Sequence, residues 1–459
     1  MMVIYTFECF SVFGYHDAYT KMWILRRQSI WIFMIHFLAF LTLFLRMQEA
    51  RILVFYVIQV ALLGSIILLY GFLYPKVSRL VVNNMCMLLA VGFIMLTRLS
   101  YNNAVKQVMI VAVSAVISLF VPVIIRKARF LNRLRLVYAV VGVAALAAVI
   151  VVGRVSNGAM LGFEVAGISV QPSELVKIVF VFFVASSLYK AKDFRNVVIT
   201  TIVAAMHVLI LVASTDLGAA LIVFVVYLVM LYVATRQPLY IAAGAGAGSV
   251  ASVAAYFLFS HVRTRVTVWK DPFAVYNEGG YQVAQSLFAI GTGGWFGLGL
   301  CQGLPDKIPV VTTDFIFSAI AEELGAIFAI CIILICVSCY IMFLNIAMQL
   351  RDSFYKLVAL GLGTCYIFQV FLAIGGVIKF IPSTGVTLPL VSYGGSSLLS
   401  TMIMFAIIQG LYILREDEEE NLERKREREL RNGTKRRTTK KKKTTKEPGF
   451  EEVPKQRVR

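Results

Sequence analysis

Apolar residues in this chain gather into long uninterrupted runs, not into the alternating or stripe-like patterns of water-soluble strands and helices. The runs lie near 29–45, 52–74, 81–97, 107–125, 136–153, 172–189, 197–213, 217–234, 239–259, 314–344, 355–378 and 388–414. A helix of about 20 such residues crosses a bilayer core of about 30 Å. The pattern therefore predicts an all-α integral membrane protein, a polytopic helical bundle of twelve spans. The tenth run begins with a turn or two of partly polar residues. Before it comes the longest polar segment, 260–313, whose aromatics and glycines predict an ordered loop. Three segments follow from this reading: 1–80 with two leading spans, 81–414 with ten, and a charged tail at 415–459.

Composition agrees with lipid as the main solvent. Hydrophobic residues make up 59% and charged residues 15%, where soluble domains sit near 45–50% and 25%. The runs are too many for a signal peptide or a single anchor. Lysine and arginine orient the bundle. Basic residues crowd 21–28, 126–135, 190–195 and the tail, which puts both termini in the cytoplasm and the loop 260–313 outside. Arg98 and Lys106 make the loop between them a mild exception.

The net charge of +19 is uneven. The tail holds 17 Lys and Arg against 11 Asp and Glu. Its opposite-charge neighbours can extend the last helix, while its lysine-rich end is expected to be disordered. A basic tail beside a membrane reads as attraction to anionic headgroups. No folded module accompanies it that would bind nucleic acid. The 7 cysteines are scattered and imply no disulfide framework. No His, Cys, Asp and Glu cluster has metal-ligand spacing.

Four polar clusters fall on the outer side under this topology. Beside them is a separate acid, Asp314. It stands where the long loop re-enters apolar sequence, with Glu322 and Glu323 following, and an acid at such a place is a functional-site candidate. The first of the four is Gln171-Pro172-Ser173-Glu174 with Lys177. Glu174 and Lys177 share a helix face, and a lysine pointing down an apolar helix needs a partner. The second is the hairpin Ser214–Gly218, whose Asp216 reads equally as an N-cap. The third is the long loop itself, with Arg263, Arg265, Gln282 and Asp306. Its arginines suit phosphate oxygens or interfacial anchoring. The fourth, Ile381–Ser397, contains Ser392 and Ser396. Two prolines and three glycines interrupt a span there, which marks a cavity wall.

Taken in order, these clusters resemble the SEDS family of shape, elongation, division and sporulation proteins, typified by RodA, FtsW and SpoVE. The resemblance runs from about 81 to 414. It rests on Asn157-Gly158, Gln171-Pro-Ser-Glu174, Asp216-Leu-Gly218, Tyr281-Gln282 with Gln285-Ser286, Gly297-Leu-Gly299, Thr313-Asp-Phe-Ile-Phe317 with Glu322-Glu-Leu-Gly325, and Pro389-Leu-Val-Ser-Tyr-Gly-Gly-Ser-Ser397. It implies a ten-span core preceded by two accessory spans, and peptidoglycan glycosyltransferase activity on lipid II at the outer face of a bacterial cytoplasmic membrane. The family's essential aspartate falls on Asp314, and an often-acidic position on Asp306. A class B penicillin-binding protein is the implied partner. Thr384 departs from a lysine common in division-type members, so the resemblance does not assign the chain to that branch.

The residues themselves support an inverting transfer with Asp314 as general base. Glu174, Lys177, Arg263, Arg265, Asp306, Gln282, Ser392 and Ser396 are the candidates for binding substrate. Arg263, Arg265, Lys177 or a divalent cation (Mg or Mn) would neutralise the departing pyrophosphate. Two rival readings are a flippase for the same lipid and a non-catalytic scaffold for the transpeptidase. A transporter would want its charges near the bilayer midplane, whereas this chain concentrates them at the outer edge.

Overall fold

Each apolar run becomes a helix, and its ends follow local chemistry. Asp17, Asp193, Asp216 and Asp352 cap helix starts by accepting backbone N–H groups. Pro172 and Pro238 occupy first turns, where a missing N–H is harmless. The computed structural model describes residues 1–15, 17–128, 130–152, 154–156, 159–165, 168–190 and 193–444. Asn157 and Gly158 of the family resemblance, and Arg129 and Lys192 of the basic loops, lie outside the described residues.

The helices in chain order are α1 (Met2–Gly14), α2 (Ala18–Met47), α3 (Ala50–Leu73), α4 (Arg79–Leu99), α5 (Tyr101–Lys127), α6 (Arg135–Val152), α7 (Pro172–Leu188), α8 (Phe194–Ala213), α9 (Leu217–Thr235) and α10 (Pro238–Leu258). The long segment between α10 and the next apolar helix supplies α11 (Ser260–Lys270) and α12 (Tyr281–Gly293). The chain continues with α13 (Ile316–Gln349), α14 (Ser353–Val377) and α15 (Gly395–Thr444). Among the described residues, 10 helices are long and apolar enough to cross a membrane. Of the twelve expected spans, α6 and α7 are the two left out, and α7 has only 17 residues. One small departure from all-α is an antiparallel sheet between α6 and α7, formed by β1 (Arg154–Ser156), β2 (Ala159–Val165) and β3 (Ile168–Val170).

At the centre stands α4, whose whole apolar window is buried. It packs against α2, α3, α5 and α13. At the other extreme, no residue of the α10 window is buried. Helix α1 was not expected, because 13 residues are too few to span. It packs on α2 and α13 and buries Tyr5, Glu8 and Cys9. Tyr5 Oη donates to Asn84 Oδ1 at 2.9 Å, and Glu8 pairs with Arg27 at 2.5 Å. The two leading spans are tied to each other by His36 and Gln59 at 2.9 Å.

Contacts divide the chain after Ile413. In the second part, Glu420 and Arg424 pair one turn apart. The backbone stays helical to Thr444, further than composition alone argued. Lysines and arginines are good helix formers and no proline intervenes before that point. Residues 445–459 of the expected disordered end lie outside the described residues.

Candidate active site

The segment between α10 and α13 is anchored through a break in α13. Gly325 has φ 88 and ψ 166, a conformation open essentially to glycine alone. The break frees carbonyls above it and N–H groups below it, and the loop after α12 fills both. Leu298 and Gly299 donate to the carbonyls of Glu322 and Glu323, each at 2.9 Å. Ala326 and Ile327 donate to Gly294 and Trp295 at 2.9 and 3.2 Å. The two glutamate side chains complete the joint. Glu322 accepts from Leu304 N–H at 3.0 Å, and Glu323 accepts from Cys301 N–H at 3.2 Å and from Arg98 at 3.1 Å. Read in sequence as companions of Asp314, these two acids instead fasten the loop.

A second irregular stretch, 378–394, separates α14 from α15. It lies against the residues just before Asp314. Ser392 Oγ donates to the Thr313 carbonyl at 2.5 Å and accepts from Leu388 N–H at 3.0 Å. Tyr393 N–H donates to the Thr312 carbonyl at 2.8 Å, and Gln107 reaches the Ser392 carbonyl at 3.0 Å. This is how broken backbone survives at membrane depth: its polar groups are satisfied by protein. Gly92 of α4 is required there, since a Cβ would sit 2.7 Å from the Val391 carbonyl oxygen.

Between the two stretches opens a cavity of about 390 Å³. Asp314, Arg265, Gln282, Lys379 and Ser383 are among the residues that line it. Asp314 and Arg265 converge on Gly385, where an added Cβ would lie 3.6 Å from Asp314 Oδ2 and 3.7 Å from Arg265 Nη2. Burial pushes the Asp314 carboxyl above the ordinary aspartate range, while Arg265 pulls it back. Burial pushes the Arg265 guanidinium down, and Asp314 and Asp216 oppose that. The result is a carboxylate more basic than usual, facing a cation, in a pocket open to a ligand.

Behind the cavity wall is a buried polar network. Lys177 Nζ lies 2.8 Å from Glu174 Oε2 and donates to Gln369 Oε1 at 2.8 Å. Gln369 passes the chain on to Ser397 at 3.3 Å, and Ser397 accepts from Thr387 at 2.8 Å. Ser400 bonds the Glu174 carbonyl at 2.7 Å. Asp216 caps α9 through Ala219 N–H at 3.1 Å and also accepts from Gln171 at 2.9 Å and Ser173 at 2.8 Å. Ser396 accepts the Gln171 N–H at 2.9 Å.

The structure thus brings Asp314, Arg265 and Gln282 into one cavity. Glu174 and Lys177 form the expected pair, but behind the wall. Ser392 and Ser396 hold backbone. Arg263 is exposed on α11 and does not line the cavity. Asp306 is exposed and faces Arg98 at 3.5 Å, so it belongs to the loop anchor. Sequence reasoning missed Lys379 and Gln369. Lys379 carried a readable signal, a lone cation where an apolar span gives way to Ile381-Pro382. Gln369 carried none, because nothing in an apolar helix marks which amide will meet a distant lysine.

Among the described residues, no group of three His, Cys, Asp or Glu could hold a metal. Magnesium demands octahedral oxygen coordination, and the cavity offers the single carboxylate of Asp314. The residues present do not fit a resident divalent ion.

Fold and site define a multi-pass membrane protein with an acid-bearing cavity beside an unwound segment. The chain belongs to the FtsW/RodA/SpoVE family, described as cell cycle proteins, whose sequence model matches residues 78–416. It is similar to the peptidoglycan glycosyltransferase RodA of Mycobacterium tuberculosis H37Rv, 39% identical over 268 residues, covering 55% of this chain and 57% of that protein. It is also similar to the probable peptidoglycan glycosyltransferase FtsW of Geobacter sulfurreducens, 33% identical over 267 residues, 56% of this chain and 71% of that one. The chain therefore spans 57% of the length of the mycobacterial relative. Among solved structures, a chain from a study of polymerization and crosslinking by a peptidoglycan synthase complex aligns with TM-score 0.63 at 24% identity, covering 74% and 98% of the two chains. Thermus thermophilus RodA aligns with TM-score 0.55 at 23% identity, covering 73% and 96%. These two likenesses establish the fold. Helices α1 to α3 precede the family match.

Proposed function

We propose that this protein is a glycosyltransferase that polymerises lipid II into glycan strands at the outer face of a bacterial cytoplasmic membrane. The observation that carries the reading is the cavity in which Asp314 and Arg265 converge on Gly385. The names of the RodA and FtsW relatives point the same way.

The donor sugar is alpha-linked to a pyrophosphate and the product linkage is beta, so one displacement inverts the anomeric carbon. The attacking sugar hydroxyl gives its proton to Asp314. Its oxygen forms the new bond to the anomeric carbon. The bond from that carbon to the phosphate oxygen breaks, and the electron pair leaves with undecaprenyl pyrophosphate. A raised carboxyl pKa makes Asp314 a stronger base than a free aspartate. Arg265 stabilises the charge that grows on the leaving oxygen. A divalent ion, Mg or Mn, would enter with the pyrophosphate rather than be held by the protein. Both termini lie in the cytoplasm, in accord with the positive residues. A class B penicillin-binding protein would crosslink the strands, in keeping with the synthase complex of the structural neighbour.

Purified full-length protein mixed with lipid II, with and without the transpeptidase, tests the proposal. Wild type makes polymer, and Asp314→Asn makes none while keeping its fold. Polymer at the wild-type rate from Asp314→Asn would refute the assignment. Passage of labelled lipid II across liposomes, without polymer, would replace the enzyme with a flippase.

A further inference from the structure

We infer that Lys379 is the second cation of the cavity and that it seats, with Arg265, the diphosphate of the lipid-linked donor. This role rests on the glycosyltransferase reading and adds a residue to it.

At the end of α14, Phe380 N–H donates to the Gly375 carbonyl at 2.8 Å, and Lys379 N–H to the Gly376 carbonyl at 3.4 Å. These two bonds are the Schellman pattern, which needs a left-handed residue after the helix and normally takes glycine. Here the residue is Lys379, with φ 60. A side chain in that conformation is disfavoured. Strained backbone that persists points to a use for the side chain.

Position supplies the use. Lys379 lines the same cavity as Asp314 and Arg265. Its carbonyl accepts from Trp269 Nε1 at 3.2 Å, and Trp269 sits on α11, one turn from Arg265. The indole therefore ties the turn that carries one cation to the helix that carries the other.

Among the described residues, the other cations considered for this role are committed or absent from the cavity. Lys177 is 2% exposed and bound to Glu174 and Gln369. Arg98 is held by Glu323 and Asp306. Arg263 does not line the cavity. Arg265 and Lys379 thus line the cavity together with one carboxylate, Asp314, and the excess positive charge suits a multiply charged anion. A guanidinium fork and a mobile ammonium suit two adjacent phosphates. This replaces Lys177 and Arg263 as the residues that hold the pyrophosphate.

The test uses full-length Lys379→Gln, Lys379→Arg and Lys379→Gly, with inorganic diphosphate as the probe. Thermal melting is measured with and without diphosphate, and lipid II polymerisation is followed to separate KM from kcat. Lys379→Gly is expected to melt no lower than wild type, since glycine suits the left-handed position. It and Lys379→Gln are nevertheless expected to lose the diphosphate-dependent rise in Tm and to raise KM about tenfold or more, as loss of a charged phosphate contact does. Lys379→Arg is expected to keep both responses within about threefold. A wild-type diphosphate response and KM in the Gly and Gln variants would overturn the inference. Absence of polymer from the wild type, with the Lys379-dependent Tm response intact, would instead sink the glycosyltransferase reading and leave an anion site.

Discussion

Removing Lys177 alone is expected to damage the fold more than removing Lys177 and Glu174 together. The side chains are 1% and 9% exposed, and Nζ and Oε2 stand 2.8 Å apart. Lys177→Met keeps the apolar stem but leaves the Glu174 carboxylate without its partner. Breaking one side of such a pair costs about 3–5 kcal/mol. The lost bond to Gln369 Oε1 falls within that range, because the amide stays tied to Thr387 and Ser397 through its Nε2. The double change, Glu174→Leu with Lys177→Met, removes both charges from a helix whose other buried residues are mostly apolar. Replacing a buried pair by apolar groups is often neutral or better. The double variant should therefore recover most of the loss. Melting of purified protein in detergent reads this directly. A double variant that melts at or below Lys177→Met would refute the reasoning. Polymerisation separates fold from function: the network holds Ser397 and Thr387, and Thr387 is two residues from the cavity-lining Gly385, so a stable double variant is expected to polymerise poorly.

Five further outcomes are expected. Polymerisation should fall on acidification with a midpoint above the ordinary aspartate range, because the base must be deprotonated and burial raises its pKa. Arg265→Gln removes the charge that pulls this pKa down, so the acid limb of the pH–rate profile should move to higher pH; an unmoved or lowered limb would contradict the pairing. Gly325→Ala would place a Cβ 2.4 Å from Gly297 N and force a glycine-only conformation, costing about 3 kcal/mol or more, and a wild-type Tm would disprove the loop joint. A cysteine introduced at exposed Asn277 should react with an impermeant reagent in intact spheroplasts, and labelling only after lysis would invert the topology. Deleting 433–459 should leave polymerisation in detergent near normal, and loss of activity in a folded truncation would give that segment a role in catalysis.

Part of the site was legible in the sequence alone. Asp314 stood out because desolvating an acid is expensive wherever the fold places it. Glu174 and Lys177 could be paired because residues three apart on a helix are neighbours. Asp306 and Arg263 looked equivalent to Arg265 in sequence, since all are charges in one long loop. The fold separates them: Arg265 faces the cavity, Arg263 is exposed, and Asp306 meets Arg98 from a helix more than two hundred residues away.

The sequence by itself determined the helical bundle, most of its spans and the interruption at 378–394, but not the break at Gly325. Those features follow from local chemistry, because a helix in lipid must satisfy its backbone within itself and every proline, glycine cluster or buried charge that disturbs it is visible along the chain. It did not reveal α1, whose 13 residues are stabilised by contacts with α2 and α13 and not by its own length. Nor did it show that Glu322 and Glu323 close a helix break while Asp314 lines a cavity. The three acids share one motif, but their roles depend on which distant backbone groups come within hydrogen-bond reach. Only the packing of 294–304 against Gly325, and of 378–394 against Thr312 and Thr313, decided that.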